Sequence, residues 1–114
     1  MAVNEQRLAT ADVAFEVLEA ADETDVGNRT FVFGDEGHTL GNALRHVLMR
    51  RKETHFCGYS IPHPSEPKMN MRLQTTDKEM PAIDLLKTGL QDLADVCDVV
   101  DEAFTDALQR FQAQ

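Results

Sequence analysis

Four histidines and two cysteines are the side chains in this 114-residue chain that are best suited to hold a metal or to act as nucleophiles. They are His38, His46, His55 and His63, with Cys57 and Cys97. A tetrahedral zinc site takes its ligands in close pairs, as Cys-x₂-Cys or His-x₃-His, because one knuckle or one helical turn must present two donors at once. No such pair occurs here. His38 starts a helical stretch, His46 lies on the side of that stretch away from its leucines, and His63 stands between two prolines. Gly34, Gly37 and Gly41 lack the lysine and hydroxyl residue that complete a phosphate-binding loop. Ser60 and Ser65 lack the strand–turn–helix elbow of a nucleophilic serine. The carboxylates fall in loops or on the wet face of a helix, where solvation is their ordinary state. The expectation is therefore no catalytic residue, no cofactor and no metal. The chemistry left is recognition of other protein.

Charge narrows the partner. Twenty acidic residues against 11 basic ones give a net charge of −9, which opposes direct, sequence-independent contact with nucleic acid. The one basic concentration is Arg45 with Arg50, Arg51 and Lys52. Cys57 and Cys97 lie in apolar patterns and read as two buried, reduced thiols. No apolar run approaches the roughly 20 residues of a membrane span, and no signal-peptide pattern is present, so a cytosolic or nuclear location is expected. The length fits one domain. Residues 1–11 carry no pattern and are expected to be a flexible tail, with the domain running over 12–114.

The elements that must position a contact surface can be read in order. Val13, Phe15 and Val17 alternate and predict a strand, followed by an acidic loop over 21–28. Residues 29–33 predict a second strand paired with it as a hairpin. After a turn at 34–37 comes a short helix. Thr39 is its expected cap, Leu40, Leu44, Val47 and Leu48 form its apolar stripe, and Arg50 to Lys52 its last turn. Gly41 is a poor helix former that costs about 1 kcal/mol relative to alanine. With Arg45 and Leu48 it marks a flank expected to meet another helix closely. Residues 54–61 predict a strand with Cys57, Tyr59 and Ile61 on one face and Phe56 on the other. Three prolines stiffen residues 62–67, and 68–75 then alternate polar and apolar without a miss.

From Pro81, suited to a first helical position, nothing stops a helix before about Phe111. Ile83, Leu86, Leu90, Leu93, Cys97, Val100, Phe104, Ala107 and Phe111 step alternately by three and four, and Leu85, Val96, Val99 and Leu108 widen that seam. Some 30 residues of helix span roughly 45 Å. A domain of this size has a radius of gyration of only about 13 Å. The helix outruns any sheet the chain can build, so its seam is expected to share a core with a partner.

Gly37-His38-Thr39-Leu40-Gly41-Asn42-Ala43-Leu44-Arg45 resembles the signature of the α-subunit amino-terminal dimerisation domain of RNA polymerases, which recurs in the small α-like subunits of archaeal and eukaryotic enzymes. Phe56-Cys57-Gly58-Tyr59, His63-Pro64-Ser65-Glu66, Met71 to Thr75 and Val96-Cys97-Asp98 look like the type shared by RNA polymerases I and III. The RNA polymerase II type tends to carry alanine at position 57 and leucine at position 65. The resemblance covers about residues 13–111.

It implies an α+β, two-layer fold: a small antiparallel sheet in the order β-β-α-β-β-α, one short helix, and one long C-terminal helix that forms a dimerisation surface. It also implies a non-catalytic assembly role, with an obligate larger α-like partner and a heterodimer that is the platform for the two large catalytic subunits. The implied location is the nucleus, including the nucleolus, with no direct contact to nucleic acid, membrane or small-molecule substrate. The dimer-interface residues expected on this basis are Leu40, Gly41, Leu44, Val47, Leu48, Leu86, Leu90, Leu93, Cys97, Val100 and Phe104, and Arg45 is the expected large-subunit contact. Two alternatives stand: the equivalent RNA polymerase II subunit, and a self-sufficient homodimeric ligand-binding or enzyme domain.

Overall fold

The structure is a computed structural model and describes residues 11–114. The elements follow the expected order: β1 (Phe15–Val17), β2 (Asn28–Gly34), α1 (His38–Met49), β3 (Thr54–Ser60), β4 (Lys68–Thr75) and α2 (Ala82–Gln112). The strands form one antiparallel sheet ordered β1-β2-β4-β3, and both helices pack on one face of it.

The period-2 pattern of β4 explains its central place. Met69, Met71 and Leu73 are completely buried, while Arg72 between them is exposed. The register sets Phe31 and Tyr59 on either side of Met71, and Cys57 beside Leu73, so one row after another of apolar side chains faces the helices. Leu44 and Leu48 of α1 and Ala82, Leu85 and Leu86 of α2 close over those rows. Phe15 carries the same face to the sheet edge, stacked on Phe31 at 5.9 Å and edge-on to Phe33 at 5.2 Å.

Several expectations are corrected. The first strand is shorter than its alternation suggests: Val13 lies outside it, with its carbonyl packed against Gly34 where a Cβ would collide. Thr39 is not the cap of α1. The helix begins at His38, and Gly37 (φ −145°, ψ −142°) holds the cap position with backbone alone, its carbonyl accepting the Gly41 N–H at 2.9 Å. Only His46 is basic in the last turn, because α1 ends at Met49 and Arg51 lies beyond it. Pro81, the expected first helical residue, instead caps α2 in an extended conformation (ψ 134°), and the helix starts one residue later at Ala82.

The glycine flank divides between two neighbours. A Cβ on Gly41 would stand 2.6 Å from the Tyr59 ring, so this glycine admits β3 and not a helix. The close helix–helix contact is two turns further on, against the backbone of α2: Leu48 fills the space where a Gly89 side chain would be. α1 lies lengthwise over β3, which brings its first turn to Tyr59 and its last to α2. The tail expected over 1–11 lies outside the described residues except for Ala11, whose N–H donates to Asp35 Oδ1 at 2.9 Å.

The two thiols part company. Cys57 is 2% exposed, and burial pushes its pKa up to about 11. Cys97 is exposed, contrary to expectation, because it lies on α2 beyond the last turn that the core covers. A neutral thiol is the poor nucleophile of the pair of forms, so Cys57 is protected at neutral pH both by burial and by its raised pKa. Maleimide labelling followed by intact-mass analysis at pH 7 is expected to add one label quickly, at Cys97. The second is expected only after denaturation.

Candidate protein–protein interface

Helix α2 runs 31 residues without a proline, and its two ends live in different environments. Its start is anchored: the Ala82 N–H donates to the Val26 carbonyl at 2.8 Å, and Ala82, Leu85, Leu86 and Gly89 are buried. Ile83 and Leu93 are half-buried against the core. After Leu93 every residue is exposed. Val100 is 62% exposed, Phe104 65% and Phe111 71%, and they continue the same seam that Leu86 and Leu93 carry into the core. Burying one such side chain is worth about 1.5–3 kcal/mol. A chain of this size that leaves several in water has not finished its core. The radius of gyration, 16.9 Å, and the longest extent, 61 Å, carry the same signature.

The expected interface residues fall into three groups. Leu44, Leu48 and Leu86 are at most 1% exposed, and Gly41 is covered by Tyr59, so these four belong to the chain's own core and not to its free surface. The reason is that the seam is one stripe serving two functions: its first part joins α2 to α1 and the sheet, and only its second part is free. Leu40, Val47 and Leu93 are half-buried at the boundary. Leu90, Cys97, Val100 and Phe104 are open. The open stripe also includes Val96, Val99, Leu108 and Phe111. Their helical spacing signalled all four. A second apolar group, Val13, Phe15, Val17 and Leu18 at the β1 edge, is 41–47% exposed and was not expected as surface. Its alternation looked like that of an ordinary half-buried strand.

Between α1 and α2 a groove of about 1070 Å³ opens directly onto the free stripe. Ala43, Val47, Leu93 and Val96 give it apolar surface, and its charged lining is mixed: Arg45, Arg50, Arg51 and Lys52 with Glu53, Asp92 and Asp95. Arg45 is thus placed at the surface, as a contact residue requires. Arg51 crosses the groove to α2, donating from Nε to Asp92 Oδ2 at 2.7 Å and from a terminal nitrogen to Oδ1 at 3.1 Å. That pairing holds the Asp92 carboxyl below the usual carboxylate range. Among the described residues, no three His, Cys, Asp or Glu side chains stand close enough together to hold a metal ion.

Comparison with known proteins agrees with this geometry. Residues 28–111 match the family described as the RNA polymerase Rpb3/Rpb11 dimerisation domain. The chain is 55% identical over 86 residues to the Schizosaccharomyces pombe protein named DNA-directed RNA polymerases I and III subunit RPAC2, covering 75% of this chain and 68% of that one. It is 48% identical over 93 residues to the protein of the same name from Saccharomyces cerevisiae, covering 82% of this chain and 65% of that one. The chain therefore spans about two thirds of each of these relatives. The fold is also that of the crystal structure of DNA-directed RNA polymerase subunit L from Thermoplasma acidophilum, with a TM-score of 0.69 at 15% identity over 88% of this chain and 93% of the other.

The division of the seam separates two kinds of variant. Leu44→Asp places a charge in a site with no exposure and is expected to cost about 4 kcal/mol or more, abolishing the cooperative thermal transition in circular dichroism. Val100→Asp and Phe104→Asp alter only the open stripe. They are expected to leave the melting of the lone chain within about 0.5 kcal/mol of the unaltered protein.

Proposed function

Because the chain belongs to the RNA polymerase Rpb3/Rpb11 dimerisation-domain family, we propose that it is the smaller α-like assembly subunit of RNA polymerases I and III. In this reading it pairs with a larger α-like subunit of the polymerase, and the heterodimer is the platform on which the two large catalytic subunits assemble. The chain is non-catalytic; nucleotidyl transfer belongs to the whole complex. It works in the nucleus, with the nucleolus as the site of its RNA polymerase I role.

The observation that carries the proposal is the half-solvated seam of α2. Val100, Phe104 and Phe111 lie on the same stripe as Leu86, which is buried, so the surface offered to a partner has the composition of a core. Association is then the completion of folding. Each apolar side chain that a partner covers contributes about 1.5–3 kcal/mol before the costs of association are subtracted. Obligate interfaces of this kind are as apolar as a core cut in half. The residues proposed to meet the partner are Leu40, Val47, Leu90, Leu93, Val96, Cys97, Val100, Phe104, Leu108 and Phe111. Leu44, Leu48 and Leu86 support them from beneath. Arg45, on the rim of the groove, is proposed to face a large subunit.

The relatives named as subunits of RNA polymerases I and III support that branch over RNA polymerase II. Affinity purification of the tagged chain from its own cells, followed by mass spectrometry, tests both branch and role. The expected result is one larger α-like subunit together with the largest subunits of RNA polymerases I and III. Recovery of RNA polymerase II subunits would keep the mechanism and change the branch, and recovery of the chain alone would overturn the assembly role. In the same experiment, Phe104→Asp is expected to lose at least about 90% of the recovered partner, since a buried unpaired charge costs several kcal/mol.

A further inference from the structure

Arg51 and Asp92 meet close to where α2 leaves the rest of the chain. Before it, Leu48 seats on the bare backbone of Gly89; after Leu93 the helix runs free to Gln112. The guanidinium grips the carboxylate through two nitrogens, at 2.7 and 3.1 Å, and its remaining terminal nitrogen stands 3.6 Å from Glu53 Oε2 in the loop that leads into β3. One side chain therefore ties the end of α1, the start of β3 and the exit of α2.

The two side chains are about one-third exposed, 33% and 32%. Ion pairs so open to water contribute little to global stability. What a planar, two-point contact does supply is direction. We propose that Arg51 is a positioning residue for assembly: its bidentate hold on Asp92 fixes the angle at which the free, apolar half of α2 leaves the core. This rests on the assembly role given above.

Leverage makes the angle matter. Twenty residues beyond Asp92 extend about 30 Å, so a change of about 10° at the exit displaces the tip by about 5 Å, close to the 5.4 Å pitch of a helix. A sideways swing of that kind moves Phe104 by about 3 Å and Phe111 by about 5 Å from the side chains that must receive them. Ala82, Leu85, Leu86 and Gly89 seat the first turns of α2, and that packing lies well before the free half, so it opposes small rocking at the exit only weakly. The polar attachment nearest the exit is the ion pair, beside the half-buried Leu93.

The test is a pair of measurements on the full chain. Spin labels at Ser60→Cys and Gln109→Cys, in a Cys97→Ser background with Cys57 shielded by burial, report the distance between sheet and helix tip. The unaltered junction is expected to give one narrow distribution. Arg51→Ala and Asp92→Asn are each expected to broaden it at least about twofold and to weaken binding of the larger α-like partner about tenfold, with little change in melting temperature. Exchanging the charges, Arg51→Asp with Asp92→Arg, is expected to restore both readouts, which a change in stability alone would not do. An unchanged distribution in both single variants, or binding as tight as that of the unaltered chain, would overturn the proposal. The distance measurement needs no partner, so it decides the clamp separately. A narrow distribution in a chain that binds no α-like subunit at all would instead count against the assembly role.

Discussion

A helix is a rigid rod, and where one end is seated decides where the other end goes. In this chain the seat is the contact of Leu48 with the uncovered backbone at Gly89. A glycine in mid-helix costs about 1 kcal/mol relative to alanine. Here that cost lets two helices approach until a leucine side chain occupies the place of a missing Cβ. This approach sets where α2 sits on the core, and the Arg51–Asp92 pair close by stands where the helix leaves it. Everything upstream, from Ala82 to Leu86, is pulled onto the sheet by the same approach. A Cβ at position 89 would collide with a Leu48 methyl group, so a larger residue there forces Leu48 or one of the two helices to shift.

The structure divides one amphipathic pattern between two tasks. The first turns of α2 complete the chain's own core and the later ones stand in water with the same kind of residues. This is the geometry of a domain folded to the point where its remaining apolar surface can only be covered from outside. The groove between α1 and α2, part apolar and lined by charges of both signs, continues that surface around the helix junction. A partner meeting both would find apolar contact along the helix and selective charge at its root.

Most of this was legible in the residues, for reasons that differ by element. β4 was unmistakable because both of its neighbours are strands and one face is fully buried, so Met69, Met71 and Leu73 had to alternate with polar side chains. The length of α2 was legible because nothing in it breaks a helix. The boundary within α2 was not, since a heptad reads the same whether the chain itself or another molecule covers it. That is why Leu86 stood among the expected contacts and Cys97 among the expected buried thiols; the apolar stripe of α1, with Leu44 and Leu48, is equally silent about which molecule covers it. Thr39 looked like a cap because hydroxyls usually are; Gly37 took the position with backbone alone, a choice that depends on φ and ψ and leaves no mark on side-chain pattern. Arg51 looked like part of a basic helix end. Its partner is 41 residues away, and no local spacing announces a contact of that range.

The open stripe from Val96 to Phe111 also makes solitude costly for this chain. In the crowded interior of a cell, a surface with Val100, Phe104 and Phe111 in water is the kind that chaperones hold and proteases remove. The same side chains that would join a partner thus report its absence. A molecule that finds its mate hides the report, and one that does not keeps displaying it. An excess of this chain is then limited after synthesis by its own lifetime, with no further device than an unfinished core.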